Sequence, residues 1–334
     1  MRHFLSNLLI LIGLFTFSGL MAQESTYAER LGYPKGARVL ILHVDDAGMC
    51  FDSNRGAENA LTKGASTSVS VMMPCPWVPD FVRFLKTNPQ IDAGLHLTLT
   101  SEWVAYRWGP LAGRSAVPGL VDSTGDLWPE VMDVVNHASA DEVEIEMKAQ
   151  LARARAMGFE PTHLDTHMGT VYGSPQFLMR YLKLGMSNHI PVMLPGGSDK
   201  LIQEEEHFPD ATVQQLRLLG KQVWAAGLPV LDDLHNFSYG WVIPADIAND
   251  DKKLDDYKTA KYIEALKTLQ PGLTMMIMHC TDTGPEFKYI SDSGPTRKGD
   301  MLAMMNPAFK KALQDQGIIL TTWREVKNRR DRVH

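Results

Sequence analysis

Two adjacent carboxylates, Asp45 and Asp46, end the apolar run Val39-Leu40-Ile41-Leu42-His43-Val44 and are followed by Ala47-Gly48. Like charges side by side are costly unless a cation holds one of them, and a divalent metal is the simplest such cation. Three histidines stand in matching places further along. His96 lies in Gly94-Leu95-His96-Leu97-Thr98, His167 ends Pro161-Thr162-His163-Leu164-Asp165-Thr166-His167, and His279 ends the apolar run that starts at Leu273. One carboxylate and two imidazoles suit a hydrolytic metal and leave positions open for water and substrate. The other carboxylate of the pair then stays free as a base. His163 and His167 are four apart, a same-face spacing on a helix. This segment reads as strand then loop, so His163 is expected to point elsewhere. Asp165 could orient a ligand histidine from behind the metal.

These residues need elements that bring them together. Each falls at or just past the C-terminal end of a predicted strand. Strands are expected over 39–44, 67–73, 91–99, 161–167, 190–194, 228–231, 273–279 and 317–321, from β-branched and apolar runs bounded by Gly and Pro. Helical patterns lie between them, over 53–63, 81–85, 139–157, 175–184, 211–226, 257–269 and 301–316. Ser139-Ala140-Asp141-Glu142 fits a capping box and opens one of them. Strands alternating with helices imply parallel pairing through right-handed crossovers. About eight strands favour an α/β fold of the closed or nearly closed β/α-barrel (TIM-like) kind, possible distortion included, over an open doubly wound sheet. In such a barrel the C-terminal strand ends share one face, and that face carries the active site.

Residues 100–137 form a long irregular loop, of a length that is more often functional than not. Trp103, Tyr106, Trp108, Trp128 and Tyr172 lie in loops beside the site segments and could stack on a ligand's rings or simply pack the loops. Arg107, Arg114 and Arg297 could hold an anionic group or an acid–base partner, and nothing in the sequence selects among them. Asp232-Asp233 ends a predicted strand, which would put Asp232 on the same face, either as a solvated strand end or helix cap or to tune His279 or bind a ligand hydroxyl.

The chain of 334 residues is long enough for two domains yet ordinary for one barrel. A net charge of −6 argues against a nucleic-acid partner. Arg2 and His3 precede an apolar stretch, Phe4 to Phe17, that ends in small residues and Met21-Ala22-Gln23. This is the pattern of a secretory signal peptide over 1–22, leaving residues 23–334 as a single domain. The stretch is short for a span of about 20 residues, so no stable membrane anchor is expected after cleavage. The mature protein would then be periplasmic or secreted. Its cysteines, Cys50, Cys75 and Cys280, make no disulfide framework and read as small buried residues.

Together these motifs resemble the YdjC/ChbG-like carbohydrate deacetylases, over a span from about residue 38 to 280. The His-Leu-Asp-Thr-His and Gly-Leu-His-Leu-Thr blocks are the specific ones. The resemblance implies a β/α barrel related in mechanism to the polysaccharide deacetylases. Carried over by position, it makes Asp46, His96 and His167 the metal ligands, Asp45 the general base and His279 the general acid. The chain departs from the family where Ala47 stands for the usual phenylalanine, where Met168-Gly169-Thr170 replaces further histidines, and where Cys280 replaces the usual proline. These changes bear on the pocket wall, hence on the substrate, more than on the reaction.

The expected activity is therefore hydrolysis of the N-acetyl group of an amino sugar in an oligo- or polysaccharide, with release of acetate. A histidine–carboxylate set suits zinc, with magnesium, cobalt or nickel compatible. Competing expectations are a metal-dependent esterase or amidase for another acyl group, and a non-catalytic glycan-binding protein on the same fold. The second would predict loss of a ligand or of the base, and all five residues are present. The sequence carries no mark of oligomeric state.

Overall fold

The computed structural model describes residues 24–333, so the signal segment expected over 1–22 lies outside the described residues. Seven strands form one parallel sheet: β1 (Arg38–Ala47), β2 (Ser68–Val71), β3 (Ala93–Leu97), β4 (Leu164–Thr166), β5 (Asp233–His235), β6 (Gly272–Met278) and β7 (Ile319–Leu320). Their spatial order is β4-β3-β2-β1-β6-β5, with β7 pairing onto the start of β1. Single parallel bridges, Leu164 to Val192 and Pro195 to Leu231, carry the pairing from β4 round towards β5. The result is a distorted, incomplete β/α barrel, as the alternation of elements implies. The strand expected over 190–194 is present only as these bridges, because Pro191 and Pro195 remove two ladder donors from it.

Alternate residues of β1 face opposite ways, as a strand requires. Leu40, Leu42 and Val44 point outwards and join Val69, Val71, Leu95, Leu97, Met276 and Met278 in the main core under the helices. Each such fully buried aliphatic side chain stabilises the fold by about 1.5–3 kcal/mol. Val39 and Ile41 point inwards, with Leu273, Met275, Ile277 and Trp323, and plug the lower half of the barrel. Above this plug the inward positions turn polar: His43, Ser68, Ser70, His96, His163 and Asp165, all buried. The barrel thus has an apolar floor and a polar upper layer that opens at the C-terminal strand ends.

The helix expected over 301–316 is two helices, Gly294–Met305 and Pro307–Asp315. Pro307 cannot continue the first, and Asn306 caps the second by accepting from the Ala308 N–H at 2.8 Å. A last helix, Trp323–Arg330, was not expected, although Thr322 caps it in the ordinary way. Trp323, its first residue, is the barrel plug. Among the described residues no helix is long and apolar enough to cross a membrane.

Candidate metal centre and active site

The acidic pair reaches the barrel mouth through a backbone irregularity. In a regular strand Asp45 and Asp46 would point to opposite faces. Here the pairing of β1 with β2 slips by one residue between Val44 and Ala47, the mark of a β-bulge. Asp46 itself sits at φ 66, a left-handed conformation rare outside glycine. Together these turn both carboxylates towards the mouth. Such a conformation costs on the order of 1–3 kcal/mol and persists only where surrounding contacts enforce it. One enforcing contact is Arg297, on the helix Gly294–Met305, whose Nη1 donates to Asp46 Oδ2 at 2.6 Å. Burial alone would raise the pKa of Asp46, but the Arg297 charge and the two neighbouring imidazoles hold it well below the usual carboxylate range.

Asp46 Oδ1 remains. It is buried and has no hydrogen-bond partner among the described residues. It lies 3.3 Å from His96 Nε2 and 3.4 Å from His167 Nδ1, and those two nitrogens are 3.3 Å apart. Ligands about 2.0–2.1 Å from a tetrahedral zinc stand about 3.4 Å from one another, so this triangle has the size a cation needs. A buried carboxylate oxygen facing two imidazole nitrogens needs a positive charge there, either a bound cation or the proton on an imidazole that a cation would displace. The residues present therefore fit a divalent metal. Two other groupings, His43–His163–Asp165 and Asp45–His96–Asp165, also have atoms close enough together. The first is closed off: the His163 ring lies against Gly94, where an added Cβ would come within 2.5 Å of it. In both, Asp165 is already committed.

Asp165 holds the ligand side in place. Its Oδ1 accepts from His96 Nδ1 at 2.8 Å, which leaves the Nε2 lone pair of His96 aimed at the triangle. Its Oδ2 is 2.7 Å from His43 Nε2, which is also 3.1 Å from Asp45 Oδ1. Burial would lower the pKa of His43, but its hydrogen bonds to Asp165 and Asp45 carry it up to about 9. His43 Nε2 thus bridges the two carboxylates. On the far side, Glu102 Oε2 lies 3.0 Å from His167 Nε2 and leaves Nδ1 of that ring free for a metal. Burial raises and the His167 charge lowers the pKa of Glu102, and the charge prevails.

Asp45 Oδ1 is engaged by His43 and by Ser70, whose hydroxyl is 3.3 Å away. Asp45 Oδ2 looks into the mouth, 3.8 Å from His96 Nε2 and 3.9 Å from His279 Nε2. His279 follows β6 directly, and its ring packs 4.8 Å from that of Tyr239. Burial keeps its pKa below the usual imidazole range despite Asp46 and Asp45 nearby. Base and acid candidates thus face each other across the triangle.

The other expected residues divide. His163 does not reach the mouth. It stacks on Trp323 at 5.2 Å and touches Thr162 through Nδ1, and burial, with His43 nearby, holds its pKa well below the usual imidazole range. Trp108 is buried behind His167, with its indole N–H donating to the Thr100 carbonyl. Trp103 covers the Arg297 guanidinium at 5.7 Å, so it does stand at the rim. Tyr172 spends its hydroxyl on the Met193 carbonyl. Arg107 is bound within its own loop by Asp122.

Asp232 is a correction. It precedes β5 rather than ending a strand, and so lies at the opposite, N-terminal rim of the barrel. There its carboxylate accepts from the backbone N–H groups of Tyr27, Ala28 and Leu273 at 2.8, 3.0 and 2.8 Å. The segment 228–231 looked like the strand because it is apolar; the ladder with β6 begins only at Asp233. Three residues that matter were not singled out from sequence: His43, Ser70 and Glu102. The first was readable, since it lies two residues before Asp45 and period two puts both on one face.

A one-carboxylate, two-imidazole cluster at the C-terminal mouth of a β/α barrel defines the class as a barrel built around a candidate metal centre. The chain belongs to the YdjC-like protein family, which matches residues 39–315. A carbohydrate deacetylase of Thermus thermophilus is 33% identical over 300 residues, covering 90% of this chain and 97% of that protein. A chitooligosaccharide deacetylase of Yersinia enterocolitica is 32% identical over 134 residues, 39% of this chain and 49% of its own length. In fold, the chain is similar to an Enterococcus faecalis protein solved as a candidate cellobiose-phosphate cleavage protein, with a TM-score of 0.67 at 19% identity, over 86% of this chain and 98% of that one.

Proposed function

We propose that this chain is an exported, metal-dependent carbohydrate deacetylase that removes the N-acetyl group from an amino sugar in an oligo- or polysaccharide. The observation that carries the reading is the triangle of Asp46 Oδ1, His96 Nε2 and His167 Nδ1, flanked by Asp45 and His279, in a family whose relatives include carbohydrate deacetylases. The three residues would hold one divalent cation, with zinc the best match to two imidazoles and a carboxylate, and magnesium, cobalt or nickel as alternatives. A cation bound there lowers the pKa of water and polarises an acyl carbonyl.

The chain's own residues supply the rest. Asp45 Oδ2 accepts the proton of the attacking water, because Oδ1 is already held by His43 and Ser70. His279, 3.9 Å from that oxygen, takes the proton from Asp45 and delivers it to the departing amine as the C–N bond breaks. Acetate and a free amino sugar result. Trp103 at the rim offers an aromatic face to the sugar. The apolar stretch before Met21-Ala22-Gln23 acts as the export signal, residues 23–334 act as one domain, and the substrate is met outside the cytoplasm.

The test is acetate release from a panel of N-acetylated oligosaccharides by the zinc-loaded protein. Wild type should release acetate. Asp45→Asn should retain the metal and lose at least about 100-fold in turnover. Full turnover in that variant, or no release from any N-acetylated sugar, would defeat the reading.

A further inference from the structure

Behind His279 lies a fully buried ion pair that the reaction above does not use. Lys258 Nζ and Asp300 Oδ1 are 2.7 Å apart, and neither side chain is exposed to any degree. Burying two opposite charges seldom stabilises a fold more than a well-packed apolar pair would. The helix carrying Asp300 also accommodates this lysine at a specific point: a Cβ on Gly299 would lie 2.6 Å from Lys258 Cγ. Such a pair calls for a reason other than stability.

Its remaining contacts supply one. Asp300 Oδ2 accepts the backbone N–H of His279 at 3.0 Å. Asp300 Oδ1 also accepts the Tyr262 hydroxyl at 2.7 Å. Lys258 Nζ donates to the Ser238 carbonyl at 3.0 Å, and the Ser238 hydroxyl donates to the Ile277 carbonyl at 2.8 Å. The pair therefore ties the main chain of His279 to the turn that carries Tyr239, whose ring packs on the His279 imidazole. Among the described residues nothing hydrogen-bonds to His279 Nδ1. A histidine that transfers protons is usually oriented through its second nitrogen. Here that hold is missing, and orientation must come from the main chain and the packing ring.

We propose that Lys258 and Asp300 are positioning residues. By fixing the His279 main chain and the Ser238–Tyr239 turn together, they keep His279 Nε2 aimed across the mouth at the leaving amine. This rests on the reading of His279 as the proton donor.

The experiment compares an N-acetylated chito-oligosaccharide with 4-nitrophenyl acetate, whose leaving group departs without a proton. The charge-neutral double variant Lys258→Met/Asp300→Leu is the main probe. Its kcat on the amide should fall by about 10- to 100-fold, part of the ~10²–10⁴ that a general acid supplies. KM and zinc content should stay within about twofold, and so should ester hydrolysis. Tyr262→Phe removes one bond to Asp300 without changing the packing, and should lower the amide-to-ester ratio in the same direction by a few-fold. Equal loss on both substrates, or an unchanged ratio, overturns the inference. If the double variant does not fold, Tyr262→Phe decides alone by the same criterion. His279→Ala in the same panel separates the two ideas. If it too shows no selective loss on the amide, the role of His279 fails; if it does while the pair variants do not, only this inference fails.

Discussion

Replacing Asp165 with Asn tests how the candidate centre is held. Asp165 Oδ1 receives the Nδ1–H of His96 at 2.8 Å in a fully buried setting, and its Oδ2 lies 2.7 Å from His43 Nε2 as an ion-pair contact. Asparagine keeps the size and one acceptor but loses the charge. It can satisfy either His96 or His43 through its oxygen, not both. Partners of this kind behind a metal-bound histidine contribute about 10- to 100-fold in metal affinity. That corresponds to about 1.4–2.7 kcal/mol of binding free energy. The assay is calorimetric titration of zinc into chelator-stripped protein, with Asp46→Ala as the non-binding reference. Asp165→Asn should bind one zinc per chain, 10- to 100-fold more weakly than wild type. Unchanged affinity would refute the idea that Asp165 sets the His96 tautomer. Complete loss of binding would refute the ligand set itself, because it would make Asp165 a ligand, as the alternative cluster Asp45–His96–Asp165 allows.

Two further outcomes depend on pH. The His167 imidazole would be lowered by burial, but Glu102 and Asp46 carry its pKa up to about 9. Below that pH a metal must displace its proton, so binding at pH 7 should release at least one proton per zinc and tighten as pH rises towards 9. Calorimetry in buffers of different ionisation enthalpy reads this directly, and zero proton release would contradict it. Asp199, fully buried, has its pKa raised by burial and by Asp233 from 3.8 to about 7, although Arg217 Nε stands 3.7 Å from its Oδ2. The folded state then binds more protons than the unfolded state between those values, so this group costs stability as pH rises through that window. Asn tolerates the left-handed backbone at φ 54 there and cannot ionise. Asp199→Asn should therefore gain up to about 4 kcal/mol relative to wild type between pH 4 and 8 by urea unfolding. A difference independent of pH would refute it.

The strand-end residues were legible because the pattern that reveals a strand also reveals where it stops. Val39 to Val44 is apolar and ends in charge, and Leu273 to Met278 is apolar and ends in His279, so the mouth of the barrel could be drawn from sequence. Asp232 shows the limit of that rule. An apolar run beside an acidic pair looked like the end of a strand, but tertiary pairing starts β5 one residue later, and the carboxylate serves the opposite rim. His43 was readable by its period-two spacing from Asp45, although the apolar run around it invites reading as pure core. Glu102 and Arg297 could not be found from spacing. One sits in an irregular loop and the other on a late helix, and only the folded chain brings them to His167 and Asp46. The Lys258–Asp300 pair is of the same kind, joining two helices across a long sequence separation. The left-handed backbone at Asp46 carries no sequence signature of the glycine type, since the carboxylate itself is needed there.

The central claim is that Asp46, His96 and His167 hold one metal while Asp45 stays free beside it. Elemental analysis of the purified chain and its variants after zinc loading tests this most directly. Wild type and Asp45→Ala should each carry one zinc per chain, and Asp46→Ala and His96→Ala should carry none. Retention of zinc by Asp46→Ala, or its loss from Asp45→Ala, would contradict the account.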